Sequence, residues 1–305
     1  MFKQFLPAVT ALLLASTAPE AATLKFDTLA PGQTSNGTSL GGAPAVDGLT
    51  VDFLNVATDM GRTVDARVTA TVGPQTQFGD GSTYSTLRNA LIYDYAGSGA
   101  APEDDLAFLY TAMGVNNVEN GITLGVQFYD GTGAKSNSFT DTMSVKELEI
   151  AVYDVDGEPS QSEYFRAFRA DGLVSYGLGN TPQALVATNE GGGVIRFDGP
   201  GTNFAETDAT GAAILTYADT DFFQLSFGSV QSGGPNSNPV FSAIDGDLSL
   251  FDAGDFNVAP VSLPAGGTLL LSALGAMGWT RFRMAAVQRA ALMRRARRWG
   301  RAQAV

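Results

Sequence analysis

The stretch YDVDGEPSQSE, residues 153–163, gathers Asp154, Asp156, Glu158 and Glu163 around one glycine. In the preceding KELEIAVYDVD, Leu148, Ile150 and Val152 alternate with polar residues, which is the period of a half-buried strand. The same parity carries Asp154 and Asp156 onto one face, about 6.5 Å apart at the rise of a strand. Two carboxylates held so close either bind protons more tightly or collect a cation. Oxygen-only donors in an exported chain suit Ca2+. The spacing therefore predicts a calcium site of Asp154 and Asp156, with Gly157 making the turn and Glu163 returning on the next strand. The competing reading is an Asp-Gly hairpin whose aspartates cap turn amides. Paired carboxylates also hydrolyse glycosides, one as acid and one as nucleophile or base. Glu147, Glu149, Asp154, Asp156 and Glu158 are the residues that would have to do so. Solvated strand faces and turns carry acids for other reasons, and the chain is expected not to be an enzyme.

The absences narrow the chemistry further. The chain has no histidine and no cysteine. Ser-His-Asp and Cys-His mechanisms, thiolate nucleophiles, disulfides and the usual zinc ligand sets are excluded with them. GTGAKS at 131–136 has the composition of a phosphate loop, but Ala134 separates Gly133 from Lys135 and a turn accounts for it. Of the 18 basic residues, eight arginines fall in 281–301 and Lys3 is another, so residues 23–258 carry nine bases against 30 acids, a balance of −21. A body of that charge without a basic patch is not expected to bind nucleic acid.

The elements that must position any site read as strands. Period-two runs recur in FFQLSF (222–227) and DLSLF (247–251). Asp-Gly pairs, a preferred hairpin dipeptide, stand at 47–48, 80–81, 130–131, 156–157, 171–172, 198–199 and 245–246. The fold class is all-β: an antiparallel β-sandwich with jelly-roll-like connections, in one domain over 23–258. A short helical interlude is predicted at PEDDLAFLYTAMG, with Asp104 or Asp105 near its start.

Both ends carry targeting signals. Residues 1–22 have one lysine, an apolar stretch from Phe5 to about Ala15 and a run of small residues, the pattern of a secretory signal peptide. After a linker at 259–262, Leu263 to Trp279 is uncharged, and a transmembrane helix is predicted at 263–280. Arg281 and Arg283 flank it, and the basic tail 281–305 is expected in the cytoplasm. VSLPAG (261–266), with Val261, Leu263, Pro264, Ala265 and Gly266, the apolar helix and the terminal arginines together resemble the PEP-CTERM class of bacterial sorting signals in its VPLPA-CTERM variant. Ser262 stands where that variant usually has proline. The resemblance implies a membrane-embedded exosortase as processing partner, and a body held at the inner membrane in the periplasm or released to the cell surface. NVATDMGRTVDARVTATV, GITLGVQFYDGTG and VKELEIAVYDVDGEPSQSEYF look like a Gly/Asp-rich extracellular β module of bacterial surface proteins.

Three function classes follow. The first is a structural or adhesive surface protein of the envelope or biofilm matrix, in contact with the membrane and with extracellular polysaccharide. The second is a carbohydrate-binding module, for which some of the 19 Phe and nine Tyr would have to be a stacking platform and not core; both tryptophans lie in the tail. The third is a carboxylate-dependent glycosidase. The composition favours the first.

Overall fold

The computed structural model describes residues 21–31, 49–73, 76–78, 105–112, 117–205, 208–232, 239–248 and 250–261. The described strands pair into two antiparallel sheets. The first runs in the order β1 (Leu49–Asp59), β2 (Arg62–Val72), β5 (Glu119–Asp130), β12 (Phe222–Gln231), β7 (Gln161–Phe168), β10 (Val194–Asp198), β9 (Val186–Gly191). The second runs β14 (Phe256–Pro260), β8 (Leu173–Gly179), β11 (Ala213–Thr220), β6 (Val145–Tyr153), β13 (Pro239–Asp245), β4 (Leu106–Ala112), β3 (Thr76–Phe78). The expected sandwich is the fold.

Alternation explains the packing. Along β5, Ile122, Leu124, Val126 and Phe128 are buried while their neighbours are not. On β6, Leu148, Ile150 and Val152 share the inward face, as their spacing predicts. Rings interlock between the sheets: Phe108 meets Phe227 at 4.4 Å and Tyr217 meets Phe223 at 5.2 Å. Each such side chain contributes about 1.5–3 kcal/mol by leaving water.

The predicted turns work differently from the expectation. Asp-Gly pairs 130–131, 156–157, 171–172 and 198–199 lie where the chain passes from one sheet to the other, and 245–246 ends β13. Two of their aspartates hold backbone amides, Asp130 that of Thr132 in the corner and Asp171 that of Gln224 on β12, while Asp198 accepts from Arg196. A tight hairpin turn is instead made by Met60 and Gly61, both at positive φ (49° and 78°), between β1 and β2.

Two further expectations are corrected. Residues 106–112 are strand β4 and not helix; Leu106, Phe108 and Tyr110 are all buried, so the true period is two. Asp247, Leu248, Leu250 and Phe251 of DLSLF are not in a strand. The buried Asp245 carboxylate accepts from the backbone N–H groups of Asp247, Leu248 and Leu250, which coils the segment.

Residues 22–30 join both sheets. Ala22 N–H donates to Glu147 C=O and Leu24 N–H to Gly246 C=O; Lys25 N–H donates to Val56 C=O and Ala30 N–H to Asp52 C=O. Leu24 and Phe26 are buried, and Phe26 meets Phe53 edge-on at 5.3 Å. At the other end β14 runs through Ala259 and Pro260, into the stretch read as linker. Among the described residues no helix is long and apolar enough to cross a membrane. The signal-peptide residues 1–20, the predicted helix 263–280 and the basic tail lie outside the described residues.

Candidate functional site

The outward faces of the two sheets differ. On the second sheet, Ala151, Tyr153, Ile214 and Ala243 are buried beneath Leu248, Leu250, Phe251 and Phe256, all contributed by the chain that follows β13. Tyr153 and Phe251 stand 5.9 Å apart, Phe251 and Phe256 5.7 Å. Beneath this cover Tyr153 O–H donates to Asp105 at 2.7 Å. Burial, with Asp105 next, raises the Tyr153 hydroxyl far above the usual phenol. Asp245 is pushed up to about 6, by burial first and by the charge of Asp247, although the amides of Asp247 and Leu250 pull the other way.

Over β12, β7, β10 and β9 the outward face of the first sheet has no such apolar cover among the described residues. One register row crosses it from Thr71 through Thr123, Ser226, Arg166 and Arg196 to Thr188. Thr123 and Ser226 share a hydroxyl hydrogen bond of 2.8 Å. Arg166 donates to Glu190 at 2.6 and 2.9 Å and to Glu119 at 2.7 Å. Arg196 donates to Asp198 at 2.6 Å and also to Glu119. Both guanidinium groups lie over the Tyr164 ring, at 4.6 and 3.9 Å. Tyr164 in turn covers Gly228, where a Cβ would stand 2.4 Å from the phenol oxygen, so only bare backbone fits beneath it. Burial alone would raise Glu119, but its arginine partners outweigh burial and lower it; Arg166 likewise lowers Glu190.

At the other side of this face, residues 131–144 fold back over β2 and β5. Fully buried Asp65 holds the fold-back by accepting from Asn55 N–H and Asn137 N–H, each at 2.9 Å. Lys135 bridges Asp130 and Asp141 at 2.9 and 3.1 Å. Phe139 is thereby held at φ 48°, a left-handed conformation that costs a bulky residue on the order of 1–3 kcal/mol. Its ring meets Tyr129 edge-on at 5.6 Å, and the Arg67 guanidinium lies 5.1 Å from it and 5.8 Å from Tyr129. Arg67 is fixed by a two-pronged pair with Asp52, at 2.6 and 2.9 Å. Sequence reading missed this patch because its members come from β1, β2, β5 and a loop.

The sequence-predicted carboxylates occupy the β6–β7 corner. The strand ends at Tyr153, and Asp154 takes φ 59°, so strand parity does not carry through to Asp156. Asp156 accepts from Gly157 N–H at 2.5 Å and from Phe204 N–H at 2.6 Å, so both its oxygens serve as turn caps. Gly157 sits at φ 83°, and a Cβ there would stand 2.4 Å from Gln161 C=O. Glu163 does return on β7, pointing inward; burial, then the charges of Asp156 and Asp154, push its carboxyl well above the usual range. The three are thus brought into one electrostatic neighbourhood. Among the described residues, however, no three acidic side chains converge with the geometry of a metal site. Ser229, opposite Glu163 across the β7–β12 pair, buries a hydroxyl without a hydrogen-bond partner. Glu147 and Glu149 share the outward face of β6, where burial first and then Glu147 raise Glu149. Of the sorting-signal residues only Val261 is described; Leu263, Pro264, Ala265, Gly266, Arg281 and Arg283 lie outside the described residues.

No protein-family model and no curated protein matches the chain. Among solved structures, the N-terminal domain of an adhesin of Streptococcus gordonii is similar, with TM-score 0.36 and 14% identity over 65% of this chain and 46% of that one. The glucan-binding protein C of Streptococcus mutans gives TM-score 0.33 and 10% identity over 70% and 62%. This chain therefore spans about half the length of the first and under two thirds of the second.

Proposed function

We propose that this chain is an exported surface protein with a structural or adhesive role in the cell envelope or biofilm matrix, and that the outward face of its first sheet is the contact surface. One observation carries the reading. The chain spends its own segment after β13 on covering the Tyr153 end of the second sheet, while the first, over β5, β12, β7 and β10, presents hydroxyl, amide, guanidinium and aromatic groups in register. A buried apolar cover contributes stability; an uncovered polar face of this breadth leaves hydrogen-bonding groups and half-buried rings for a partner. The N-terminal signal pattern and the helix predicted from sequence at 263–280, with the arginines after it, would supply export and membrane anchoring, with an exosortase-like enzyme as the processing partner.

The reading is tested on cells. Attachment to a polysaccharide-coated surface is compared between cells producing the full chain and cells lacking it, with a third strain lacking residues 263–305. Producers are expected to attach more, and the truncated chain to appear in the periplasm or medium. Equal attachment by all three strains overturns the adhesive role; a truncated chain that still sediments with membranes overturns the anchor.

A further inference from the structure

Phe139 is in the wrong conformation for its size. Where residues 131–144 need a left-handed residue and nothing more, the chain uses Asn137, at φ 63°. At 139 it keeps a phenylalanine in the same strained region and pins the loop with Asp65, Lys135, Asp130 and Asp141. What the strain secures is a position: a half-buried ring edge-on to half-buried Tyr129, beside a guanidinium that Asp52 prevents from swinging.

We propose that Phe139, Tyr129, Arg67 and Asp52 form a binding site for an uncharged pyranose unit of a polysaccharide. This deepens the adhesive-surface reading and rests on it. A pyranose offers one face of C–H groups and a rim of hydroxyls, and the patch offers the complement of both: two half-buried rings for the C–H groups, and a carboxylate and guanidinium for the hydroxyls. Charge narrows the choice. Arg67 and Asp52 neutralise each other, and Lys135 is engaged by two carboxylates, so an added uronate would find no uncompensated cation. A cationic ligand would compete with Arg67 for the same rings. An apolar protein surface would find two half-buried rings framed by ion pairs, too little apolar area to hold it. The register row continues Asp52, Arg67, Gln127, Phe222, so a further half-buried ring lies two strands from Arg67, roughly 10 Å away at the spacing of paired strands. An extended chain of linked sugars laid across the strands would reach it.

The test is electrophoresis of the full chain through native gels containing laminarin, dextran, xyloglucan or alginate. Retardation by at least one of the three neutral glucans and none by alginate is expected. Tyr129→Ala and Phe139→Gly should each weaken retention about tenfold, the scale of one buried aromatic contact. Glycine suits the left-handed backbone at 139, so that variant should melt no lower than the parent even if Tyr129→Ala is poorly folded. Lys146→Ala, on the second sheet, should be retained like the parent. Retention unchanged in both ring variants overturns the site while leaving the adhesive reading to the attachment assay. Retardation by alginate alone overturns the uncharged ligand, and retardation by none of the four overturns the sugar site.

Discussion

Tyr153 and Tyr164 stand on the outward faces of opposite sheets, and both are buried, but by different means. Tyr153 lies beneath apolar side chains of its own C-terminal segment, with Asp105 taking its proton bond. Tyr164 lies beneath two arginines that three carboxylates hold in place. The first kind of cover is cooperative with the fold and indifferent to salt. The second is an ionic mat that a ligand, salt or acid can rearrange without disturbing the core. A surface meant to meet something else is better built the second way.

The comparison can be broken most directly at Phe256. Phe256→Ala removes a buried ring from the cover of the second sheet and should cost about 3 kcal/mol in denaturant unfolding. A loss below about 1 kcal/mol would mean that the segment rests on the sheet without sharing its cooperativity.

Acid should then separate the buried carboxylates from the ion-paired ones by sign. Asp245, raised to about 6, contributes stability that is fully present below its unfolded value near 4 and is lost as pH rises towards 6. Asp156, Asp171 and Glu163 are raised as well, by burial first, and act in the same direction. Glu119, Glu190 and Asp130 are lowered; their contribution is present above their unfolded values near 4 and is lost as pH falls, towards about 2 for Asp130. Protection of the Asp247, Leu248 and Leu250 amides, corrected for intrinsic exchange, should therefore be greater at pH 5 than at pH 7. Release of Arg166 and Arg196 by Glu119 and Glu190 should run the other way, setting in as pH falls. Equal protection at pH 5 and pH 7 would show that the three amide bonds outweigh the burial of Asp245.

A smaller effect belongs to the ionic mat. Arg166→Ala with Arg196→Ala should cost about 1 kcal/mol at low salt, and 1 M NaCl should erase most of the difference. A penalty that salt leaves untouched would place the arginines with the packing and not with the charges. Tyr217→Phe, in the core between the faces, supplies the baseline. It removes a buried hydroxyl that has no partner, and should leave stability unchanged or raise it by up to about 1 kcal/mol.

Strand identity was readable wherever alternation was clean, as in Leu148, Ile150 and Val152 or in Phe223, Leu225 and Phe227. It misled at 247–251, where Leu248 and Leu250 alternate but the Asp245 carboxylate gathers the local amides first. It misled again at 106–112, where the flanking acids of PEDD imitate a helix start. The five described Asp-Gly pairs marked turns but not which strands they join, because that depends on whether the next strand finds its partner in the same sheet; the pairs at 47–48 and 80–81 lie outside the described residues. The return of Glu163 on the strand after the corner was readable from its spacing. The Arg67, Tyr129 and Phe139 patch was not, since Asp52 and Phe139 are far apart in sequence and only the antiparallel register of β1, β2 and β5 assembles it.

Leu24 N–H is bonded to Gly246 C=O, and Lys25 is paired with Asp247 at 3.0 Å, 222 positions along the chain. Closing a loop of that length carries a large entropy cost that no local contact offsets in advance. For a chain that crosses a membrane amino end first, the earliest residues to emerge must wait for nearly the last of the domain before they can dock. Until then the buried Leu24 and Phe26 and the open edge of β1 have no partner, so under the proposed export the interval of crossing is also the interval in which a holding chaperone would matter most.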